Sequence, residues 1–210
     1  MDKQQMIYNE LKGITEHEMY NGWNHKTTPN GYHSFNIGSI NIKGQRNPRK
    51  RLNEFKKYFD FTDKVVLDLG CCVGGMLLHL ETINYGIGVD YDEKTLLAAR
   101  RISQILEIDN VSFVQHDFNK DDIASLASKI KITPDIIFLL SIGAWINRWN
   151  DLYTFALSYN CPIFLETNND EQGVGQLDFF DKNNRKVKLI IEKSLDDITG
   201  NHLRKTYFIT

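Results

Sequence analysis

Cysteine and proline are both scarce in this chain, which has three cysteines and four prolines among 210 residues. Cys71 and Cys72 are adjacent and Cys161 lies far from them, so the spacing fits neither a disulfide framework nor a paired-cysteine zinc site. The chain also lacks any apolar run long enough for a signal peptide or a membrane span. We therefore expect a reduced, cytoplasmic protein that has no membrane span and binds no metal.

An excess of charge of one sign is also missing. The 25 lysines and arginines nearly balance the 27 aspartates and glutamates, which leaves a formal net charge of −2. Charge alone therefore gives no reason to expect binding to nucleic acid or to an anionic membrane surface. Internal repeats and low-complexity segments are absent as well, and 210 residues suffice for one domain with a sizeable core and a modest extension.

The most informative pattern lies between residues 65 and 90. Residues 65–69 are a short apolar run with β-branched members, which predicts a strand buried on both faces. Gly70 and Gly74 follow, and glycine lets a backbone turn sharply and approach a ligand closely. A helical segment and a second apolar strand come next, and that strand ends on Asp90. This order of elements is the layout of a nucleotide-binding site.

Asp68, Cys72 and Asp90 indicate which nucleotide fits. A dinucleotide site has the pattern G-x-G-x-x-G, whereas Gly70 and Gly74 here enclose Cys72, where a middle glycine would stand. The Asp68 carboxylate would repel a pyrophosphate but suits a ligand with an ammonium group. Asp90, at the tip of the second strand, is placed to accept hydrogen bonds from both hydroxyls of a ribose. An NAD-dependent oxidoreductase is therefore disfavoured.

This segment resembles the first motif of class I S-adenosylmethionine-dependent methyltransferases, in which an acidic residue precedes G-x-G-x-G; Cys72 is the departure from that motif. The resemblance covers residues 49–210. It implies S-adenosylmethionine as the methyl donor, S-adenosylhomocysteine as the product, and a doubly wound, mostly parallel, seven-stranded Rossmann-like α/β sheet with an antiparallel C-terminal strand. It also implies a set of cofactor-binding residues: Asp68, Gly70, Cys72, Gly74, Asp90, Tyr91, Asp117, Phe118 and Ser141.

The chain divides into an N-terminal extension, residues 1–47, and the methyltransferase domain, residues 48–210. In the extension, a helical apolar pattern at residues 4–14 precedes apolar residues that alternate around a Gly-Ser turn, which predicts a β-hairpin. Asn47-Pro48 predicts the start of a helix that leads into the first core strand. We expect the extension to act as a lid.

Beyond the second strand, predicted helices and strands alternate, which indicates a mostly parallel, doubly wound sheet. We predict helices at residues 93–106, 123–130 and 152–159, and strands at residues 111–114, 136–140, 162–165, 187–191 and 205–209.

Asp117 and Phe118 directly follow the third predicted strand. In the resembled family this position reads the adenine ring, because the acid or the following backbone amide binds the amino group and the aromatic side chain lies against the ring. The alternative is that Asp117 only caps the following helix.

Basic side chains crowd the boundary between the extension and the domain, with Glu54 as the only local acid: Lys43, Arg46, Arg49, Lys50, Arg51, Lys56 and Lys57. One interpretation is a solvated helix face. The other is a binding patch for an anionic substrate or for the cofactor carboxylate. Arg46 is the most specific candidate in that patch, because a guanidinium can grip a carboxylate or phosphate bidentately.

Ligands of open α/β sheets bind beyond the carboxyl ends of the strands, which places Ser141, Glu166 and Asn168 on the functional edge. The D/N-P-P-Y/F signature of some nitrogen-methylating members is missing after the fourth strand. Methylation of adenine or of an amino group in nucleic acid is therefore disfavoured. Trp145 and Trp149 either wall the substrate pocket or are core aromatics.

Segments 32–35 (YHSF), 44–46 (GQR) and 204–207 (RKTY) carry a narrower resemblance to bacterial methyltransferases of O-antigen and other surface polysaccharides, and also to transferases that act on tRNA wobble uridines. We predict O-methylation of a sugar-, phosphate- or carboxylate-bearing small molecule or glycan precursor. His33 and Glu166 are the candidate general bases, and Tyr32 is a candidate positioning hydroxyl. The alternatives are a tRNA-modifying methyltransferase, with RNA as a less favoured partner, and a catalytically silent S-adenosylmethionine-binding partner protein.

Overall fold

The computed structural model describes residues 2–15, 31–168, 170–194, 196–197 and 204–210. Its helices are α1 (Lys3–Thr15), α2 (Pro48–Phe55), α3 (Gly75–Leu78), α4 (Glu93–Leu106), α5 (Ile123–Lys129), α6 (Trp149–Ser158) and α7 (Asp170–Lys182). Its strands are β1 (Phe35–Ile37), β2 (Ile40–Ile42), β3 (Val65–Leu69), β4 (Tyr85–Asp90), β5 (Val111–Gln115), β6 (Ile136–Leu140), β7 (Ile163–Glu166), β8 (Val187–Ile191) and β9 (Thr206–Ile209).

Strands β3 to β9 form one sheet, which has seven strands in the described part of the chain, in the order β5-β4-β3-β6-β7-β9-β8. Strand β3 is parallel to both β4 and β6, and β9 is antiparallel to both β7 and β8. The predicted doubly wound, mostly parallel sheet with an antiparallel C-terminal strand is confirmed. The strand order reverses between β3 and β6, and open α/β sheets bind ligands in the crevice at this switch point.

Apolar side chains cover both faces of the sheet in two separate clusters. On one face, the Phe55 ring stacks on Phe164 with centroids 4.0 Å apart, and Phe61 and Phe138 pack edge to face beside them. Each fully buried ring of this kind stabilises the fold by roughly 1.5–3 kcal/mol. Helix α2 thereby holds the start of the domain against the centre of the sheet.

The N-terminal extension shares this core. Ile7, Leu11 and Ile14 of α1 are buried in the same cluster as α4, which confirms the predicted apolar face of the first helix. The predicted hairpin also forms, with Phe35 opposite Ile42. Residues 16–30 of the extension lie outside the described residues, and the lid role remains a prediction.

Two elements differ from the sequence prediction. Helix α7 was not predicted, because Gly173 and Gly175 lower helix propensity and hide the apolar spacing that ends on buried Phe180. Helix α3 is only four residues long and ends at Leu78, with His79 as its C-cap. Among the described residues, no helix combines the length and the apolar character needed to cross a membrane.

Candidate functional site

The loop between β3 and α3 adopts a left-handed backbone at Gly70, Cys72 and Gly74. A Cβ atom at Gly70 would lie 2.6 Å from Ile142 Cδ1, and one at Gly74 would lie 2.5 Å from Phe113 Cε1. Both positions therefore require glycine for space as well as for conformation. The result is a tight loop that packs against Phe113 of β5 and against Ile142, which follows β6.

Cys72 has the same left-handed backbone without being glycine, with φ 52°. For an L residue with a Cβ atom this conformation costs roughly 1–2 kcal/mol. The Cys72 N–H donates to Asp90 Oδ2 at 2.8 Å, so the departure from the glycine motif leaves the loop closed but strained.

Asp90, at the end of β4, connects the loop between β3 and α3 to the loop between β4 and α4. Its carboxylate also accepts the Asp92 N–H at 3.2 Å. Burial raises the pKa of Asp90, and the N–H groups of Cys72 and Asp92 partly oppose that rise. A carboxylate has about four acceptor sites, so Asp90 can hold both loops and still accept from a ligand hydroxyl. Tyr91, the next residue, is half exposed beside it.

Asp68 is buried at the penultimate position of β3. Burial, reinforced by the nearby Asp90 charge and opposed by Arg51, raises the pKa of Asp68 to about 7. Two buried acids near one loop favour a ligand that brings positive charge. The binding of an ammonium group by Asp68 remains a prediction.

Asp117 and Phe118 lie at the end of β5. The Asp117 carboxylate accepts the Asn119 N–H at 3.0 Å and pairs with Lys120 at 3.1 Å. The residue whose side chain caps α5 is Asp122, not Asp117. Asp117 therefore does not cap the helix, and its carboxylate instead stabilises a local turn. Phe118 is buried edge to face against His116, and the adenine-binding role of both residues remains a prediction.

A buried group of charged side chains, called here the arginine cluster, lies at the carboxyl end of β7 and consists of Arg46, Arg51, Glu166 and Asp196. Arg46 Nη2 donates to Glu166 Oε1 at 3.1 Å and to Oε2 at 3.0 Å, and Arg46 Nε donates to Asp196 Oδ2 at 2.8 Å. Arg51 Nη2 lies 3.0 Å from Glu166 Oε2 and 2.9 Å from Asp196 Oδ2. Each member of the cluster is more than nine-tenths buried.

The cluster determines how Glu166 behaves. Burial alone would raise the pKa of Glu166, but Arg51 and Arg46 outweigh it and hold the pKa below its ordinary value. The Ser141 hydroxyl donates to Glu166 Oε1, and Ser141 itself has a left-handed backbone, with φ 59°. A carboxylate held ionised by two guanidinium groups takes up a proton poorly, which disfavours Glu166 as the general base.

The side chain of Arg46 already pairs with carboxylates of this cluster, which disfavours its expected role in binding the carboxylate of the cofactor. Gripping the carboxylate of a cofactor would require Arg46 to leave Glu166 and Asp196. Its backbone, meanwhile, joins the loop before β1: the Arg46 N–H donates to Tyr32 O and the Ser34 N–H donates to Arg46 O, both at 2.7 Å. Arg46 thus fastens the loop that carries His33 to the end of the sheet.

His33 is buried directly over the cofactor loop. A Cβ atom at Gly75 would lie 2.5 Å from both Cγ and Nδ1 of the imidazole, so the ring packs on a position that only glycine can provide. Burial, followed by the charges of Arg51, His79 and Arg46, holds the pKa of His33 well below its ordinary value. Its Nδ1 atom has no hydrogen-bond partner among the described residues. Tyr32 is half buried beside it, with ring centroids 4.8 Å apart.

The two tryptophans have different environments. Trp149 packs edge to face on Tyr153 and Phe179, which favours the core interpretation, whereas Trp145 is 72% exposed. Asn168 Oδ1 accepts the Ala144 N–H at 3.4 Å, so Asn168 supports the loop that carries Trp145.

From the sequence, Arg51 was one member of the basic patch and not a specific site residue, and Asp196 was not named. A signal for Arg51 was available, because Leu52 and Phe55 mark the buried face of α2 and Arg51 lies on it. Asp196 offers no such signal, since it belongs to no helix or strand.

Comparison with known proteins gives a consistent result. A family model described as a methyltransferase domain matches residues 60–167, just over half of the 210 residues. No curated protein sequence matches the chain.

Solved structures share the fold at low sequence identity. EvdMO1 is 17% identical with a TM-score of 0.60, and the match covers 84% of this chain but only 43% of EvdMO1. A SAM-dependent methyltransferase from Aquifex aeolicus is 17% identical with a TM-score of 0.56, covering 79% of this chain and 90% of that chain. The methyltransferase domain of bacterial CtHen1-C is 16% identical with a TM-score of 0.54, covering 78% of this chain and 96% of that chain.

The strain at Cys72 predicts an order of stability for two substitutions. Cys72→Gly and Cys72→Ala both remove the thiol, but only glycine relieves the left-handed backbone. We expect the glycine variant to be the more stable of the two by about 1 kcal/mol in urea unfolding. An alanine variant as stable as the glycine variant would contradict the strain.

The arginine cluster predicts a large effect of removing one charge. Glu166→Gln keeps the shape of the side chain but leaves Arg46 and Arg51 buried with less compensation. We expect the free energy of unfolding to fall by about 3–5 kcal/mol. The control is Glu192→Gln, since Glu192 is 63% exposed and should change stability by less than about 0.5 kcal/mol. Equal effects of the two substitutions would show that Arg46 and Arg51 do not need the charge of Glu166.

Proposed function

The chain belongs to the class I S-adenosylmethionine-dependent methyltransferase family, and from this premise we propose that its methyl acceptor is an oxygen atom of a sugar-, phosphate- or carboxylate-bearing small molecule or glycan precursor. The observation that carries the proposal is His33. Its imidazole is neutral and packs on the cofactor loop, and its buried Nδ1 has no hydrogen-bond partner among the described residues, so Nδ1 would take the proton of a hydroxyl group that reached it there.

The residues around the loop fit S-adenosylmethionine. The buried Asp68 suits the ammonium group of its methionine part, and Asp90 has acceptor capacity for ribose hydroxyls. When bound, this cofactor supplies a methyl group on a cationic sulfur, which needs no acid to leave. The chain's own part is then to align the acceptor, exclude water and remove a proton.

The acceptor classes differ in whether the reaction requires a base to remove a proton. When a hydroxyl oxygen bonds to the methyl carbon and the carbon–sulfur bond breaks, the oxygen loses its proton, which His33 Nδ1 would accept. A phosphate or carboxylate oxygen already carries negative charge and needs no base. The low pKa that burial and nearby cations impose on His33 keeps the imidazole neutral at neutral pH, so it is free to accept a proton, although it is a weaker base than an ordinary histidine. This favours a hydroxyl acceptor within the proposed class.

The experiment that tests the proposal supplies methyl-labelled S-adenosylmethionine with four sets of acceptors: neutral sugars, sugar phosphates, hydroxy acids and total tRNA. Label in a sugar or hydroxy acid as a methyl ether supports the proposal. Label that is released by ribonuclease would replace it with tRNA modification. Tight binding of the cofactor with no labelled product from any set would instead favour the silent binding protein.

His33→Gln should separate chemistry from cofactor binding. Glutamine keeps a polar side chain but cannot act as a base, so we expect kcat for a hydroxyl acceptor to fall roughly 100- to 10,000-fold. The dissociation constant of S-adenosylmethionine, measured by calorimetry, should stay within a factor of about 3, and the rise of kcat/KM with pH should disappear. Turnover close to that of the unaltered protein would show that His33 is not the general base.

Asp68 predicts how cofactor affinity depends on pH. Only the ionised carboxylate attracts the ammonium group, and its ionised fraction rises with pH through a pKa of about 7. The ligand's α-amino group stays mostly charged below about pH 7.7. We therefore expect affinity to rise several-fold between about pH 6 and 7.5, as followed by calorimetry. Asp68→Asn should bind more weakly and without this rise; an unchanged pH dependence in that variant would contradict the assignment.

A further inference from the structure

A groove of about 470 Å³ lies between α2 and the hairpin β1–β2. Small-ligand sites have volumes in this range. Its polar lining comes from the hairpin, from the cap of α2 and from the outer face of α2: Asn36, Asn41, Asn47, Arg49, Lys50 and Asn53.

Positive charge in this groove is not neutralised. Arg49 and Lys50 form no ion pair with any described residue, and no carboxylate of the described part lines the groove. Two nearby cations differ: Arg51 of α2 is held by Glu166, and Lys57, just beyond α2, pairs with Glu54 at 2.7 Å. Two adjacent cations in a concave polar surface attract an oxyanion.

The asparagines add hydroxyl recognition to this charge. Asn36 and Asn41 lie directly opposite each other in the hairpin, and Asn36 Nδ2 donates to Asn41 Oδ1 at 2.8 Å. This bond orders both carboxamides, and each carboxamide has more donor and acceptor capacity than one bond uses. A surface with paired cations and ordered carboxamides suits a molecule that carries both a phosphate and several hydroxyls.

The groove is close to His33. Asn36 is three residues from His33, so their Cα atoms are at most about 11 Å apart. The wall is also joined to the cofactor loop: the Asn36 N–H donates to His79 Nε2 at 3.1 Å, and His79 Nδ1 lies 2.6 Å from the carbonyl oxygen of Gly75, the residue on which His33 packs. An acceptor seated in the groove would have to extend past Asn36 toward the cofactor loop to reach the imidazole.

We propose that this groove binds the phosphate-bearing end of the methyl acceptor, which is a sugar phosphate, while the hydroxyl that receives the methyl group extends toward His33. The inference rests on the proposed function and narrows it to one class of substrate. It gives Arg49 and Lys50 a role in binding and none in the chemical step.

Calorimetry without S-adenosylmethionine tests the groove by itself. The ligands are glucose 1-phosphate, ribose 5-phosphate and UDP-glucose, each compared with its neutral sugar. We expect at least one phosphorylated ligand to bind and its neutral sugar not to bind. Arg49→Gln/Lys50→Gln should weaken that binding at least tenfold. The control Lys56→Gln/Lys57→Gln changes net charge equally on the same segment outside the groove, and should weaken it less than twofold.

Three results would overturn the proposal. The first is that no phosphorylated ligand binds, and the second is that both double variants lose the same affinity for it. The third is that a 12-nucleotide RNA binds more tightly than the phosphorylated sugars and loses this affinity only in the groove variant. The last result would assign the groove to nucleic acid.

Kinetics then separates this inference from the proposed function. If a sugar phosphate is methylated, the groove variant should raise KM at least tenfold and leave kcat within a factor of two, unlike His33→Gln. If the groove variant methylates the sugar phosphate with an unchanged KM, the groove is not the acceptor site, and the proposed O-methylation is unaffected. Binding that depends on the groove, without methyl transfer to any sugar phosphate, confirms an oxyanion site and removes the acceptor assignment.

Discussion

A carboxylate removed from water needs cations beside it, and Glu166 has Arg46 and Arg51 within hydrogen-bond distance at the end of β7. This pairing draws together the extension, the sheet and the segment that contains Asp196. Without it, the backbone of Arg46 would have no side-chain attachment to the sheet, and the loop that carries His33 would lose its support. Buried ion pairs contribute little net stability, but they select one arrangement strongly, because every alternative leaves a charge uncompensated.

The site thus combines two constraints of different kinds. Space is the first, since the glycines at positions 70, 74 and 75 admit side chains from β5, β6 and the extension. Charge is the second, since burial raises the pKa of Asp68 while nearby cations lower that of Glu166. The two carboxyl groups therefore differ in protonation near neutral pH, although both lie at the same edge of the sheet. One can respond to a ligand's charge, and the other remains ionised to hold the structure.

Local pattern predicted the parts of this fold that depend on neighbours in sequence. Apolar runs located β3 to β9, and strand ends located Asp68, Asp90 and Glu166 at one edge, because parallel strands place their carboxyl ends together. The pairing of Arg46 with Glu166 joins residues 120 positions apart, and no periodicity encodes it. The sequence therefore predicted that Arg46 is available to bind a ligand, whereas in the structure it pairs with carboxylates of the protein. Helix α7 was missed for a different reason, because packing around Phe180 overrides two glycines.

Strand β9 has a consequence for how the protein is made. It lies between β7 and β8, and in the described part of the chain β8 pairs with no other strand. A nascent chain that has emerged only through residue 191 therefore holds β8 without a neighbour to bond. Thr206 also pairs with Glu166, so the same late strand closes the sheet beside the arginine cluster. Maturation of the site must wait until residues 206–209 have left the ribosome, and until then the edge of β7 is open to other chains.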